Sequence, residues 1–224
     1  MTRRIVMFSS WGPGNFQTAL EFCDDYTETR LALLVSDRAE TPSTRLAQRR
    51  GIELFVHPIE GGYDPNRAGS RSRRIAALEP VLHRLQRLER EDGPIDLIVL
   101  AFRRILAGPI LDQFAARMIN VHPSDLSVFN IADRRPRYVG IDGLSRAIAD
   151  GNPTTRTSVH KVTAAVDEGQ LICLGPELRF EGSRDSRHDI EAHEARQKQC
   201  SDRVALRKAL EIWFHGAPEP FAIF

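Results

Sequence analysis

The sequence predicts an α/β protein with a mostly parallel twisted sheet and helices on both faces. Short apolar runs rich in β-branched residues alternate along the chain with longer segments of helical periodicity. One run, Leu97 to Ala101, is apolar at every position, as a strand buried on both faces must be. This alternation favours parallel pairing through right-handed crossovers. Ligands of such sheets bind beyond the carboxyl ends of the strands, so we expect the loops that follow the strands to form one cleft.

Five strands and four helices are predicted in chain order. The predicted strands are Arg4 to Phe8, Leu31 to Val35, Glu53 to Val56, Leu97 to Ala101 and Met118 to His122. The predicted helices are Phe16 to Phe22, Ser43 to Arg50, a stretch around Ile75 to Leu88, and a last segment with Val204, Leu206, Leu210, Trp213 and Phe214 on one stripe. Pro80 either kinks the third helix or begins its main part. The polar stretch from Glu181 to Cys200 is either an exposed helix or a mobile segment.

Length and composition favour one domain with an appendage. The chain has 224 residues, of which 42% are hydrophobic and 27% are charged, as is usual for a globular protein. Its 31 Lys and Arg against 30 Asp and Glu leave a formal charge of +1. A general nucleic-acid binder carries a large excess of basic residues, so this balance of charges excludes that class of protein.

Cysteine usage and the lengths of the apolar runs indicate a cytoplasmic protein without a membrane partner. Cys23, Cys173 and Cys200 are odd in number and not closely paired, which disfavours a disulfide framework and a cysteine zinc site. The apolar run from Ile5 to Phe8 is too short for a signal peptide, and no run approaches a membrane span. The apolar tail, Phe221 to Phe224, packs back on the domain or joins a second copy, which leaves a homodimer open.

The turn after the first strand has the composition of an anion-binding loop. Gly12, Gly14 and Asn15 precede a helix whose N-terminal amides carry partial positive charge. The turn departs from the dinucleotide fingerprint because Gln17 occupies the third glycine position, and Asp37 is the acidic candidate for a ribose ligand. The alternative is a tight βα turn in which Asn15 caps the helix.

Two polar side chains share one face at the end of the fifth strand. Asn120 and His122 lie two positions apart, and an amide beside an imidazole suits the stabilisation of a developing oxyanion. The alternative is a strand end that satisfies its own polar groups. A second block, Ser158 to Ile172, reads as a strand, a loop and a strand, with Asp167 in the loop. A carboxylate brought near His122 favours its imidazolium form.

Together these segments resemble the folate-dependent formyltransferases, above all the glycinamide ribonucleotide transformylase branch. The resemblance covers Arg4 to Ile172 and implies a Rossmann-like formyltransferase fold. It is carried by the first turn (Ser9 to Leu20), by LIVLAFRRIL (Leu97 to Leu106), by NVHPS (Asn120 to Ser124) and by SVHKVTAAVDEGQLI (Ser158 to Ile172). We expect residues 1–175 to form the catalytic domain and residues 176–224 to form a largely helical extension packed on it.

The resemblance implies transfer of a formyl group from 10-formyltetrahydrofolate to a small-molecule amine through a tetrahedral intermediate. It implies that Asn120 and His122 bind the oxyanion, with His122 protonated at that stage. Asp167 then holds that charge and helps to relay the proton. The pterin ring is expected to lie on the backbone around Arg104, Ile105, Leu106 and Val166. No metal is implied, and metal binding by His188 and His193 is disfavoured because residues five apart share a helix face poorly.

The departures from the family pattern concern the acceptor. Pro13 offers no amide N–H, so one phosphate donor is lost from the first turn. Arg134 and Arg137 belong either to a solvated loop or to a binding edge for an anionic acceptor. The family's Gln-Glu-His segment before Trp213 is missing. The acceptor is therefore a purine intermediate or an amine of a specialised pathway, with Gly12, Gly14 and Asn15 as its further predicted contacts.

Other functions of related folds are the alternatives to formyl transfer to a small amine. Chain length is expected to exclude the initiator-tRNA formyltransferases, which carry a further C-terminal domain, and the formyltetrahydrofolate hydrolases, which carry a domain before the first strand. Hydrolysis with water as the acceptor and a non-catalytic ligand-binding protein on the same fold are kept as alternatives. A nucleotide-dependent oxidoreductase is disfavoured by the missing fingerprint.

Overall fold

The computed structural model describes residues 2–59 and 69–216, and a seven-stranded sheet organises them. The strands are β1 (Arg3–Ser9), β2 (Thr29–Ser36), β3 (Leu54–Val56), β4 (Leu97–Ala101), β5 (Met118–His122), β6 (Thr154–Thr155), β7 (Ser158–Lys161), β8 (Leu171–Leu174) and β9 (Leu178–Arg179). The sheet order is β3-β2-β1-β4-β5-β7-β8, and β6 pairs with β9 in a separate ribbon. Strands β1 to β5 pair in parallel, whereas β7 and β8 are antiparallel additions at one edge. The predicted mostly parallel sheet is confirmed.

Helices cover both faces of this sheet. They are α1 (Gly14–Asp25), α2 (Pro42–Arg49), α3 (Ser70–Asp92), α4 (Pro109–Phe114), α5 (Gly143–Ala149), α6 (Arg187–Gln197) and α7 (Arg203–His215). In β1, Ile5 and Met7 pack in one hydrophobic core with α1 and α7, while Val6 and Phe8 pack in a second core with α3 and α4. Because alternate side chains of a strand point to opposite faces, two cores require the uninterrupted apolar runs of the central strands.

Two sequence expectations about the helices are corrected. Pro80 lies within α3 rather than at its first turn. Val204 is 49% exposed, so it is not part of the buried stripe of α7.

The polar stretch before Cys200 forms α6, an ordered helix that a π-helical turn, Lys198–Asp202, joins to α7. Insertions of this kind are frequent at functional sites.

The C-terminal helices pack on the same sheet as the predicted catalytic part. The rings of Phe22 in α1 and Phe214 in α7 stack with their centroids 5.8 Å apart. The apolar tail, Phe221 to Phe224, lies outside the described residues. Among the described helices, none combines the length and the apolar character needed to cross a membrane.

The strand order reverses between β1 and β4. The chain runs outward from β1 to β2 and β3, and then returns to place β4 on the other side of β1. The loops after these two strands therefore separate and leave a crevice at their carboxyl ends. A hydrogen bond from the backbone N–H of Arg103 to Oγ of Ser10, at 3.1 Å, ties the two loops together at its base.

Candidate active site

A cavity of about 310 Å³ opens at this crevice. It is lined by the loops after β1, β4 and β5, by the β7–β8 loop, and by α6 with the π-helical turn. Most of the predicted site residues lie around it, namely Gly12, Gly14, Asn15, Arg104, Ile105, Leu106, Asn120, His122, Val166 and Asp167.

Asp167 lies at the centre of a polar cluster in this cavity. Its Oδ2 atom accepts a hydrogen bond from the backbone N–H of Gly140 at 2.7 Å and lies 3.4 Å from Nδ1 of His122. Its Oδ1 atom accepts a hydrogen bond from Nδ2 of Asn120 at 3.1 Å and lies 3.3 Å from Nε2 of His160. The three predicted catalytic side chains therefore meet, and a second histidine joins them.

The surroundings of Asp167 keep its carboxylate ionised. Burial by itself raises the pKa of Asp167, but hydrogen bonds and charge from His160, His122 and the Gly140 N–H outweigh burial and lower the pKa to about 2. The backbone of Asp167 has a φ of 55°, a left-handed conformation that non-glycine residues adopt at a cost of about 1 kcal/mol. Gly169 allows the loop to close, because a Cβ there would lie 1.7 Å from the carbonyl oxygen of Lys161.

His122 is mainly neutral at neutral pH. Burial lowers the pKa of His122 below its ordinary value and outweighs the charge of Asp167, which raises it. The expected effect of Asp167 is present, but it does not make the resting ring an imidazolium. Nε2 of His122 lies 2.8 Å from the carbonyl oxygen of Tyr138 and 2.6 Å from Oγ of Ser124. The Tyr138 carbonyl at Nε2 and the Asp167 carboxylate at Nδ1 both only accept hydrogen bonds, so the neutral ring donates to one of them and the imidazolium donates to both.

A glycine is required behind this histidine. Gly143 begins α5, and a Cβ on it would lie 2.2 Å from the carbonyl oxygen of Tyr138, 2.6 Å from Oγ of Ser124 and 3.1 Å from Nε2 of His122. Any side chain at position 143 would push apart the groups that hold the ring. The sequence offers no local signal for this close approach.

His160 and Ser124 are members of the cluster to which the sequence analysis gave no role. His160 lies opposite Asn120 in the antiparallel pairing of β5 with β7. Its Nδ1 atom lies 2.9 Å from the carbonyl oxygen of Lys161, which orients the ring, and its Nε2 lies 3.3 Å from Nδ2 of Asn120. His160 stands inside the segment that carries the family resemblance, and this is the one signal that could have marked it.

The backbone of Arg104, Ile105 and Leu106 forms a wall of the cavity, and Val166 lies on the same cavity. This loop belongs to no helix or strand, so its peptide groups are not engaged in a ladder. Nε of Arg104 donates to Oδ2 of Asp37 at 2.8 Å. Asp37, the candidate ribose ligand, is therefore buried as the anchor of this loop and does not line the cavity. The apolar side chains beside the wall are Leu100, Leu106, Leu111 and Val162.

The first turn differs from the capping alternative. Pro13 is the N-cap of α1, and Asn15 lies inside the helix, so Asn15 does not cap it. The Asn15 side chain instead donates a hydrogen bond to Asp202, while its buried Oδ1 atom has no hydrogen-bond partner in the described part of the chain. No acidic residue stands in the first turn of α1.

Arg134 and Arg137 do not line the cavity, and their role as a binding edge for the acceptor stays a prediction. A bridge between Phe129 and Pro136 folds the loop into a tight hairpin, and Arg134 lies exposed at its turn with a φ of 55°. The guanidinium of Arg137 pairs with Asp150 at 2.9 Å. Both side chains are exposed, as the solvated-loop alternative expects.

A second buried carboxyl group lies on the opposite wall of the cavity. Asp202 ends the π-helical turn and accepts a hydrogen bond from the Thr157 hydroxyl at 2.5 Å. Burial raises the pKa of Asp202 to about 6, against the hydrogen bond from Thr157, the charge of Lys198 and the hydrogen bond from Asn15. No pattern in the sequence marks Asp202, because only the π-helical turn brings it to the cavity.

The residues considered for a metal site have other partners. Nε2 of His193 lies 2.7 Å from Oγ1 of Thr155, and His188 is exposed. Within residues 2–59 and 69–216, no three His, Cys, Asp or Glu side chains are grouped so as to hold a metal ion.

Comparison with known proteins identifies the family. Residues 3–175 match the model of the formyl transferase family over most of the chain. The chain belongs to the formyl transferase family. The match includes the Asn120, His122 and Asp167 cluster and the Arg104 to Leu106 wall.

The chain is similar to proteins of purine biosynthesis and to a solved transformylase structure. A phosphoribosylglycinamide formyltransferase of Escherichia coli is 27% identical over 198 residues, which are 88% of this chain and 82% of that protein. The trifunctional purine biosynthetic protein adenosine-3 of Gallus gallus is 31% identical over 143 residues, and this match covers 63% of this chain but 12% of that much longer protein. The crystal structure of glycinamide ribonucleotide transformylase 1 from Symbiobacterium toebii superposes with a TM-score of 0.68 at 27% identity, over 94% of this chain and 88% of that chain.

Proposed function

We propose that this chain is an N-formyltransferase that transfers the formyl group of 10-formyltetrahydrofolate to a small-molecule amine. The observation that carries the proposal is the convergence of Asn120, His122 and Asp167 at the end of β5, inside one cavity. Membership of the formyl transferase family supports it. The relatives from Escherichia coli and Symbiobacterium toebii are named for the formylation of glycinamide ribonucleotide, which makes that amine the first acceptor to test.

The Arg104 to Leu106 wall fits a flat, hydrogen-bonding ring such as the pterin of the donor. Its peptide groups stand outside any ladder, and apolar side chains flank them. Ligand sites commonly combine an apolar slot with a few fixed polar groups. The Asp37 carboxylate holds the Arg104 side chain, so the loop is set before the ligand arrives. When bound, the donor supplies an activated formyl carbon.

The reaction exchanges one C–N bond for another. The acceptor nitrogen forms a bond to the formyl carbon, the bond from that carbon to N10 of the donor breaks, and one proton passes from the acceptor nitrogen to N10. Nδ2 of Asn120 carries two N–H groups: one donates to Asp167, and Nε2 of His160 lies 3.3 Å from the same nitrogen. In the reaction the N–H beside His160 turns to the oxyanion that develops on the formyl oxygen. His122 contributes its ring at the same strand end.

His122 and Asp167 handle the proton. When negative charge develops nearby, the nitrogen of His122 that is unprotonated in the neutral ring gains a proton, and both nitrogens then face an acceptor, Tyr138 or Asp167. The ionised Asp167, 3.4 Å away, stabilises the imidazolium formed in this way. The ring can then return the proton to N10. Burial keeps the resting ring neutral, so protonation is coupled to the reaction rather than completed before it.

Mixing the purified protein with 10-formyltetrahydrofolate and a panel of amines tests the proposal. The panel contains glycinamide ribonucleotide, amino sugars and amino acid amides, and the readout is the absorbance of deformylated folate with mass detection of the formylated amine. We expect amine-dependent turnover. Release of formate in the absence of amine would instead identify hydrolysis, and folate binding without any turnover would identify a non-catalytic binding protein.

The remaining expectations from the sequence are part of the same proposal. We place the enzyme in the cytoplasm, which the three free cysteines support. We retain residues 1–175 as the catalytic domain, which the extent of the family match supports, and residues 176–224 as the extension. A homodimer is testable by sedimentation.

A further inference from the structure

We propose that Arg103 and Lys198 form a binding site for an anionic group of the acceptor amine, and that Glu194 occupies this site in the free protein. The proposal rests on the proposed formyl transfer and adds to it the chemical class of the acceptor: an amine that carries a phosphate or a carboxylate. It assigns specificity to three side chains for which the sequence analysis predicted no role.

The three side chains lie on opposite walls of the catalytic cavity. Arg103 belongs to the loop after β4, directly before the wall of Arg104 to Leu106, whereas Glu194 lies on α6 and Lys198 begins the π-helical turn. Oε1 of Glu194 lies 3.3 Å from Nη1 of Arg103 and 2.7 Å from Nζ of Lys198. A single carboxylate oxygen thus bridges two cations across the cavity.

The two cations form an anion site in which the carboxylate of Glu194, from the same chain, takes the place of a ligand. The Glu194 side chain is 20% exposed, whereas those of Arg103 and Lys198 are 53% and 47% exposed, so the cations reach solvent around the carboxylate. A carboxylate or phosphate oxygen of a ligand could take the same position between the two donors. Exposed ion pairs contribute little to stability, so exchange of one anion for another costs little.

The two cations could replace a hydrogen-bond donor that the first turn lacks. Pro13 removes one amide donor from that turn, and Arg134 and Arg137 do not line the cavity. Lys198 is adjacent to the turn, since its carbonyl oxygen would lie 3.9 Å from a Cβ on Gly14. The other charged group of this wall, Asp202, is bound to Thr157 and Asn15. Among the described residues that line this cavity, Arg103 and Lys198 are therefore the lysine and arginine side chains with which a ligand can pair, because Arg104 is held by Asp37.

Replacing Glu194 by Gln separates this role from a structural one. If Glu194 competes with the acceptor, the E194Q variant should lower KM for an anionic amine by about three- to tenfold, equivalent to about one pairing of exposed charges. Arg103→Ala and Lys198→Ala should each raise the same KM by a similar factor. None of the three should change KM for 10-formyltetrahydrofolate. A merely structural ion pair would leave KM for the acceptor unchanged or raise it in all three variants, and that result would overturn the proposal.

The assay uses matched amines that differ in charge. Glycinamide ribonucleotide is compared with its dephosphorylated ribonucleoside, glucosamine 6-phosphate with glucosamine, and glycine with glycinamide. The first two pairs report on phosphate and the third on carboxylate. The matched control variant is Glu191→Gln, which breaks the Arg187–Glu191 pair, also at 2.7 Å and also four residues apart, on the same helix but outside the cavity. We expect no change in this control.

A measurement without turnover keeps the proposal testable if the proposed reaction fails. Binding of inorganic phosphate and of acetate is measured by titration calorimetry on the whole chain, with wild type, E194Q, Arg103→Ala and E191Q. Tighter anion binding in E194Q than in wild type, lost in Arg103→Ala, would support the site even if no formyl transfer occurs. Equal anion binding in all four proteins would contradict it even if formyl transfer is observed.

Discussion

Two buried carboxyl groups stand on opposite walls of the same cavity, and their protonation equilibria are shifted in opposite directions. The pKa of Asp167 is lowered to about 2, and that of Asp202 is raised to about 6. Both are desolvated, so burial alone does not distinguish them. Asp167 has a backbone N–H and two histidines around it, whereas Asp202 has one hydroxyl and one amide, with Lys198 as its nearby cation. The groups around each carboxyl therefore decide the direction in which its pKa is shifted.

The largest expected effect is that of Asp167→Asn. The amide keeps the shape and tolerates the left-handed backbone, but it cannot stabilise the His122 imidazolium. We expect formyl transfer to fall by about 10²- to 10⁴-fold. The control is Glu168→Gln at the next position, where the nearest cation is Arg135 at 3.9 Å. Activity within a factor of two of wild type in D167N would remove Asp167 from the mechanism.

The second expected effect is on stability, through Asp202→Asn. A carboxyl group whose folded pKa exceeds its ordinary value of 3.8 stabilises the fold fully below pH 3.8, and that contribution is lost as pH rises through about 6. The shift corresponds to about 3 kcal/mol, since one pKa unit is about 1.4 kcal/mol. D202N should therefore be more stable than wild type at pH 8 by up to about that amount, with little difference at pH 4.

Denaturant titrations at pH 4, 6 and 8 measure this difference. The matched control is the exposed Asp185→Asn, which should follow the wild-type pH dependence. If D202N loses stability equally at all three pH values, burial does not raise the pKa of Asp202, and the contrast with Asp167 disappears. For Asp167 the sign is opposite: its contribution is present above pH 3.8 and is lost as pH falls through about 2.

The third expected effect concerns the donors around Asp167. His160→Gln removes a ring that lies 3.3 Å from Oδ1 of Asp167 and helps to hold its pKa down. We expect the pKa of Asp167 to rise toward its ordinary value and kcat to fall by about tenfold, with KM for the donor unchanged. The pH dependence of kcat and carboxyl NMR chemical shifts report the change. The exposed His188→Gln is the control, and an unshifted Asp167 resonance in H160Q would argue against this role.

The smallest expected effect is that of Thr157→Val. The substitution removes the hydroxyl that donates to Asp202 at 2.5 Å, so the pKa of Asp202 should rise further and stability at pH 8 should fall by about 1 kcal/mol. Below pH 4 the loss should be smaller, because Asp202 is then protonated in both proteins. Thermal unfolding at the two pH values measures the difference, with the exposed Thr27→Val as control. A loss that is larger at low pH would contradict the assignment.

Local sequence patterns predicted the centre of the fold well. The runs Leu97–Ala101 and Met118–His122 are strands with the predicted ends, because a strand buried on both faces or stopped by a proline is marked by its own residues. Positions that depend on distant partners were not predictable. Arg137 pairs with Asp150 and Val204 is exposed, and nothing within either segment indicates these outcomes.

The sequence by itself determined the alternating βα architecture, the shared face of Asn120 and His122, and the presence of an aspartate in the loop that follows β7. These features depend on spacing along one strand or on composition within one segment. Only the tertiary structure decided that His160 lies opposite Asn120, that Gly143 has no room for a side chain, and that Asp202 lines the cavity. The pairing of β5 with β7 and the approach of Gly143 to His122 join segments that are far apart in the chain, and the π-helical turn brings Asp202 to a cavity that other loops form.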